Sequence, residues 1–232
     1  MNKSNCLICK DELIYFNESK LMNCYFCGDT YESGVMCKSG HYICDNCHSA
    51  DAFEAIKNYC ISSSSTNPIE MIVDLMKHPS IKIHGPEHHF LVPAVLSTAY
   101  TNKLKQYDKR EMYLIEGEKR SKNVLGGFCG FYGACGAAVG TGIFMSLVLN
   151  TSPLSKDSWG LCNLITSKSL EKISNYGGPR CCKRDTFTAI ETAIEFLKEH
   201  MNVELDSVKN LKCEYSDYNK ECLKTKCKFY LV

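Results

Sequence analysis

Apolar residues recur at helical spacing along most of the chain after residue 67. Ile69, Ile72, Val73, Leu75 and Met76 share a face. They follow Asn67-Pro68-Ile69-Glu70, where asparagine suits an N-cap, proline the first helical position and glutamate the third. His78-Pro79 ends the segment, because a proline pushes the residue before it out of the helical region. Pro86 is predicted to open a second helix that continues through Leu91, Val95, Leu96 and Ala99 towards Tyr100, with Pro93 a point of distortion. Lys103 to Lys122 reads as a solvated helix and its exit loop, partly covered at Tyr107, Met112, Leu114 and Ile115. Lys156 to Ser174 is predicted as two short helices broken near Thr166-Ser167, with Trp159 as a core anchor and Cys162 packed. Asp185 to His200 is a long amphipathic helix that turns Phe187, Ile190, Ala193, Ile194 and Leu197 inward. Runs of alternating polarity are few, so the fold class is mainly α, with short β-hairpins expected only in the first 60 residues. There Ser49 to Tyr59 reads as helix, with Cys60 a packed thiol at its end and His48 a surface or helix-start residue. Ser62 to Thr66 is a short flexible joint, dividing the chain into domains 1–60 and 67–232.

One stretch interrupts the periodicity. Gly126 to Gly142 holds seven of the 15 glycines together with Cys129 and Cys135, and an apolar run follows at once. Two readings stand: a glycine-rich loop that delivers two thiols to a buried helix, or a tight helix–helix contact at Gly136 and Gly140 with two inert cysteines. In the first, the helix dipole acidifies a thiol at the helix N-terminus. The apolar run from Ala134 to Leu149 is shorter than the roughly 20 residues a membrane span needs, so no membrane partner is expected.

Charge and cysteine content narrow the classes. The net charge of +1 gives no global pull towards nucleic acid. Sixteen cysteines are many for 232 residues. The N-terminus has no apolar signal core, so a cytoplasmic location, with thiols protected by metal rather than oxidised, is expected. In residues 1–60 the cysteines pair closely: Cys6-x2-Cys9, Cys24-x2-Cys27, Cys37-x3-His41 and Cys44-x2-Cys47. A two-residue gap lets both sulfurs face one ion, and eight ligands suffice for two tetrahedral zinc ions. The segment from Cys37 to Cys47 resembles RING-like and treble-clef zinc fingers. Its pair order suggests interleaving, with Cys6, Cys9, Cys37 and His41 on one ion and Cys24, Cys27, Cys44 and Cys47 on the other; two consecutive sites are the alternative. The module carries five lysines against eight acidic residues, which opposes nucleic-acid binding and leaves a structural or protein-docking role.

The second half offers Cys129, Cys135, Cys181, Cys182, Cys213, Cys222 and Cys227 as ligands, enough for an iron–sulfur cluster of the 4Fe-4S type and a smaller site. Zinc at both is the competing account. Only one of the adjacent Cys181 and Cys182 is expected to bind a given ion. Lys183 and Arg184 follow them as cations for an anionic cluster or substrate. His84, Glu87 and His88 form a dense titratable set at a helix start, suited to proton transfer; the alternative is capping plus one satisfied core histidine.

Three blocks, His84-Gly-Pro-Glu-His88-His89, Gly127-Phe-Cys129 to Ala138 and Gly177-Gly-Pro-Arg-Cys181-Cys182-Lys-Arg, together with the Cys213/Cys222/Cys227 tail, resemble a cysteine-rich family of unassigned function from anaerobic microbes. The resemblance covers most of residues 67–232. It implies neighbours among radical S-adenosylmethionine and methyltransferase modules and supplies no activity. The radical-enzyme motif Cys-x3-Cys-x2-Cys is absent, so that chemistry is not carried over. A weaker likeness is to iron–sulfur serine dehydratases and cysteine desulfidases. The functional expectation is an iron–sulfur enzyme with an open iron, acting on a small anionic molecule by lyase or sulfur-transfer chemistry. The alternatives are a metal or cluster carrier that docks through the zinc module, and a tRNA-thiolation component, which the acidic module disfavours.

Overall fold

A computed structural model describes residues 6, 8–44, 47 and 51–231. His48 and the start expected for its helix lie outside the described residues. The fold is mainly helical, with one small antiparallel hairpin near the N-terminus. The hairpin is built from β1 (Leu13–Asn23) and β2 (Thr30–Cys37). Leu13 pairs with Cys37 and Asn23 with Thr30, and the register shifts between Tyr15 and Lys20. Among the described residues eight α-helices are bounded: α1 (Ala52–Ser62), α2 (Pro68–Leu75), α3 (Glu87–Lys103), α4 (Tyr107–Ser121), α5 (Phe128–Phe131), α6 (Gly136–Val148), α7 (Asp157–Ser174) and α8 (Cys182–Met201).

Helix α3 is the axis. Its residues from Glu87 to Asn102 are buried all round, as expected of a helix enclosed by others. It packs against α1, α2, α4, α6 and α8. Helix α2 begins as its sequence suggests: Asn67 Oδ1 accepts the N–H groups of Ile69 at 3.1 Å and Glu70 at 3.4 Å. Helix α1 belongs to the same core, since Ile56 and Cys60 join the cluster that contains Phe90, Phe144 and Phe187. The core of the helical part therefore begins before the serine joint. That joint is held: Asn102 Nδ2 donates to the Ser63 and Ser65 carbonyls, and Arg110 to those of Ile61 and Ser63.

Helices α3 and α6 approach closely because α6 carries glycine where they meet. A Cβ at Gly136 would lie 2.1 Å from the His89 ring, and one at Gly140 3.0 Å from the His89 carbonyl. Helix α7 runs unbroken through Thr166-Ser167 where two helices were expected, because Thr166 turns its hydroxyl back onto the Cys162 carbonyl at 3.0 Å without leaving the helix. Trp159 is 51% exposed, not a core anchor, since it lies on the outward face of α7. Helix α4 buries Tyr113, Leu114, Gly117 and Ser121, whereas Tyr107, Met112 and Ile115 are exposed. Helix α8 turns Phe187, Ile190, Ala193 and Leu197 inward, as its spacing implies, and ends at Asn202 in a left-handed conformation. The tail beyond it has few apolar anchors, chiefly Val203, Leu205 and Phe229. Among the described residues, no helix is long and apolar enough to cross a membrane.

Candidate metal centres and thiol cleft

The first two centres arise from a repeated local fold. Cys6-x-x-Cys9-Lys10-Asp11 and Cys24-x-x-Cys27-Gly28-Asp29 form the same knuckle. In each, the first cysteine N–H donates to the aspartate carbonyl at 2.8 Å, and its own carbonyl accepts the N–H four residues on at 2.9 Å. The residue after the second cysteine has positive φ, 66° at Lys10 and 77° at Gly28. Strand β1 runs from the first knuckle to the second, and β2 continues to Cys37. Gly40, at φ 88°, closes the turn that brings His41 back to Cys37; Cys37 Sγ lies 3.3 Å from His41 Nδ1.

The eight candidate ligands fall into two quartets, Cys6/Cys9/Cys37/His41 and Cys24/Cys27/Cys44/Cys47. Within each, the ligand atoms lie within 4.8 Å of one another. Cys9 and Cys37 sulfurs are 3.7 Å apart, and those of Cys27 and Cys44 3.9 Å. Thiolates about 2.3 Å from one tetrahedral ion would be separated by about 3.8 Å, so both quartets fit a single ion. Backbone N–H groups reinforce the sulfurs: Ile8 N donates to Cys6 Sγ, and Cys44 N to Cys24 Sγ, both at 3.4 Å. The Asp11 backbone N–H is the largest cause that draws the Cys9 thiol down to about 7, whereas burial pushes Cys27 up to about 11.

The second gathering of cysteines surrounds the first turn of α8. On one side, Cys181, Cys213, Cys222 and Cys227 line a small cavity with Lys183 and Asn219. On the other, Cys129 and Cys135 line an open cleft of about 480 Å³ with Arg180 and Asp185. Arg184 borders both. A sequence model of the Family of unknown function (DUF5714) matches residues 56–230. The chain belongs to the DUF5714 family. No curated protein and no solved structure matches it. The DUF5714 region spans α1 to the tail, so it includes the cavity and the cleft and excludes the two N-terminal quartets.

Within the DUF5714 region the glycine-rich stretch makes the helix contact of one reading and opens a cleft beside the two thiols of the other. Gly136 and Gly140 permit helix contact, while a Cβ at Gly130, Gly133, Gly177 or Gly178 would meet no atom within 4 Å, so these four glycines face the open cleft. Cys135 is not acidified at the start of α6. Burial, with the Asp185 carboxylate beside it, pushes its thiol up to about 12, and it donates to Asp185 Oδ2 at 3.7 Å. Asp185 is itself buried and paired with Arg184 at 3.0 Å. Burial also raises Cys182 to about 11, and the Gly85 backbone N–H partly offsets it.

The histidine block divides. His88 is enclosed: Nε2 lies 3.1 Å from the Lys82 carbonyl and Nδ1 2.9 Å from Thr186 Oγ1. A carbonyl only accepts, so Nε2 carries the proton and Nδ1 takes the threonine's. This is the arrangement of a satisfied core histidine, and burial lowers its pKa to about 3. Glu87 is buried and accepts the Lys82 N–H at 2.8 Å. His89 donates to the Val124 carbonyl at 2.8 Å. His84 alone of the three lies by the tail, with Nε2 3.2 Å from Asn219 Oδ1 and 3.3 Å from Glu221 Oε2. Asn219 then donates to Cys181 Sγ at 3.4 Å, linking His84 to the cavity. Lys183 is 1% exposed; it donates to the Met76 and Ile81 carbonyls and stands over the Tyr215 ring. Asp185 and Asn219 are absent from the sequence-based set of site residues. The position of Asp185 after Cys-Cys-Lys-Arg was a usable signal; nothing local distinguishes Asn219.

Proposed function

We propose that the protein is an iron–sulfur-dependent enzyme acting on a small anionic molecule by sulfur-transfer or lyase chemistry, with a zinc ion in each N-terminal quartet. One observation carries this reading: seven thiols from three segments meet around the first turn of α8, with a cavity on one side and an open cleft on the other. Burial raises the Cys181, Cys182 and Cys213 thiols, so a metal bound there would have to displace their protons. A bound cluster would supply redox chemistry. The protein's own residues would do the rest. Arg180 faces the cleft as the cation for an anionic group, the glycine-lined wall leaves room for it, and Cys129 presents a thiol that could attack the outer sulfur of an anionic sulfane donor, forming a persulfide as the rest of the donor leaves as an anion and the thiol proton is released. That last arrangement favours sulfur transfer over lyase chemistry. His84, linked through Asn219 to Cys181, is better placed than enclosed His88 to exchange a proton.

Purification without oxygen, followed by metal and acid-labile sulfide analysis, tests the reading. Two zinc ions per chain, with iron and sulfide in similar amounts, is the expected result. Zinc without sulfide would overturn the cluster. A second reading, a carrier or adaptor for a radical or methyltransferase enzyme, is supported by Tyr15 and Leu21, which stand 72% and 73% exposed on β1 as a docking face. Intact transfer of the cluster to an apo-ferredoxin would favour the carrier.

A further inference from the structure

We propose that Cys181, Cys213, Cys222 and Cys227 form a third metal centre, closed by four thiolates and occupied by an iron–sulfur cluster, which Cys129, Cys135 and Cys182 do not ligate. This rests on the reading that the DUF5714 region carries a cluster, and assigns its ligands.

Three features support the assignment. First, the four cysteines line one cavity although they come from two distant segments, the entry to α8 and the tail. The tail is set by few apolar contacts, and the Cys213 N–H bond to the Phe229 carbonyl at 2.6 Å brings its two ends together. Second, the sulfurs receive donors. Tyr215 N donates to Cys213 Sγ and Lys224 N to Cys222 Sγ, each at 3.4 Å and each from two residues on. That is the bond Ile8 N makes to Cys6 Sγ in the first knuckle. Asn219 Nδ2 supplies one to Cys181. Donors aimed at sulfur stabilise thiolates and tune cluster potentials.

Third, Lys183 is a buried ammonium beside the cavity whose hydrogen bonds go only to carbonyls. Among the described residues, no carboxylate lies within 4.0 Å of it. The buried Glu87 carboxylate supplies part of its counter-charge without forming an ion pair, and an anionic four-thiolate cluster would add to it.

A cluster held by four cysteines has no open iron. It would store or pass an electron, or hold the tail in place, and leave substrate chemistry to the Cys129 cleft across α8.

Serine variants of the full chain test the ligand set, with iron, sulfide and zinc measured after oxygen-free purification and circular dichroism as the folding control. Cys181→Ser, Cys222→Ser and Cys227→Ser are expected to lose more than half the iron and sulfide while keeping two zinc ions. Cys129→Ser, Cys135→Ser and Cys182→Ser should keep all three elements. Folded Cys222→Ser and Cys227→Ser proteins with full iron, or a cluster lost from Cys129→Ser or Cys135→Ser, would overturn the assignment. Three zinc ions and no iron in the unaltered chain, falling to two in Cys222→Ser, would leave the third centre standing and refute its cluster. Two zinc ions and no iron would refute both. In Lys183→Met the midpoint potential of the cluster should become more negative, since a nearby positive charge favours the reduced form; an unmoved potential would remove Lys183 as counter-charge.

Discussion

His88 shows how one enclosed ring makes stability depend on pH. The folded ring stays unprotonated down to about 3, whereas an unfolded histidine takes its proton near 6.5. Between those values the unfolded chain binds more protons. Stability should therefore fall as pH is lowered from about 6.5 towards 3, by on the order of 1.4 kcal/mol per unit for this residue. Denaturant unfolding at several pH values should show that slope, and His88→Gln should flatten it. An equal slope in the variant would place the proton uptake elsewhere. His89, also lowered by burial, adds to the same trend. The block His84-Gly-Pro-Glu-His88-His89 looked uniform in sequence, yet its members have separate fates. A helix start sends consecutive side chains in different directions, and which one meets a cavity depends on partners such as Thr186 and Asn219, 98 and 135 residues away.

At the scale of the elements, the contact between α3 and α6 is set by glycine. In Gly136→Ala the new methyl would meet the His89 ring, which is itself fixed by its bond to Val124. Overpacking of this kind costs about 1–3 kcal/mol, and a shift of that size is expected in chemical denaturation. Gly130→Ala, whose Cβ meets nothing, should leave stability within about 0.5 kcal/mol. Equal losses in the two variants would contradict the packing described. Helices with local signals were legible: the Asn67 cap is where its dipeptide placed it, and α8 turns its apolar face inward. Helix α7 was less so. Thr166 and Ser167 have modest helix propensity, but packing of α7 on α6 and α8 overrides it. Trp159 was misjudged because large aromatic residues are usually covered, whereas this one faces outward.

For the whole molecule, the two parts have different cores. The helical part is held by apolar side chains. The N-terminal core consists of cysteines with Ile8 and Phe26, so metal ions bound in the two quartets would supply much of its cohesion. The parts join through His78, which donates to the Cys47 carbonyl at 2.7 Å and packs edge-on against Phe26. The four ligand pairs could be read from spacing alone, because a gap of two or three residues is a local property; their sorting into interleaved quartets rather than two consecutive sites depends on the hairpin between them. The partition of the later cysteines between cavity and cleft could not, since it depends on the path of a tail with no periodicity. The serine joint misled for the same reason: its composition suggests freedom, and the bonds that hold it come from Asn102 and Arg110.

The repeated knuckle has a consequence for how the N-terminal part fills. One ion would bridge Cys9 to Cys37, 28 residues apart, and the other Cys27 to Cys44, 17 apart, in overlapping loops. Whichever ion binds first shortens the free chain the second must close, so the second binds at lower entropic cost. Occupancy should thus be cooperative, and half-filled molecules scarce. Native mass spectrometry of stripped protein given one equivalent of zinc should show mainly empty and doubly loaded chains. A dominant singly loaded species would mean that the two knuckles, alike in structure, fill independently.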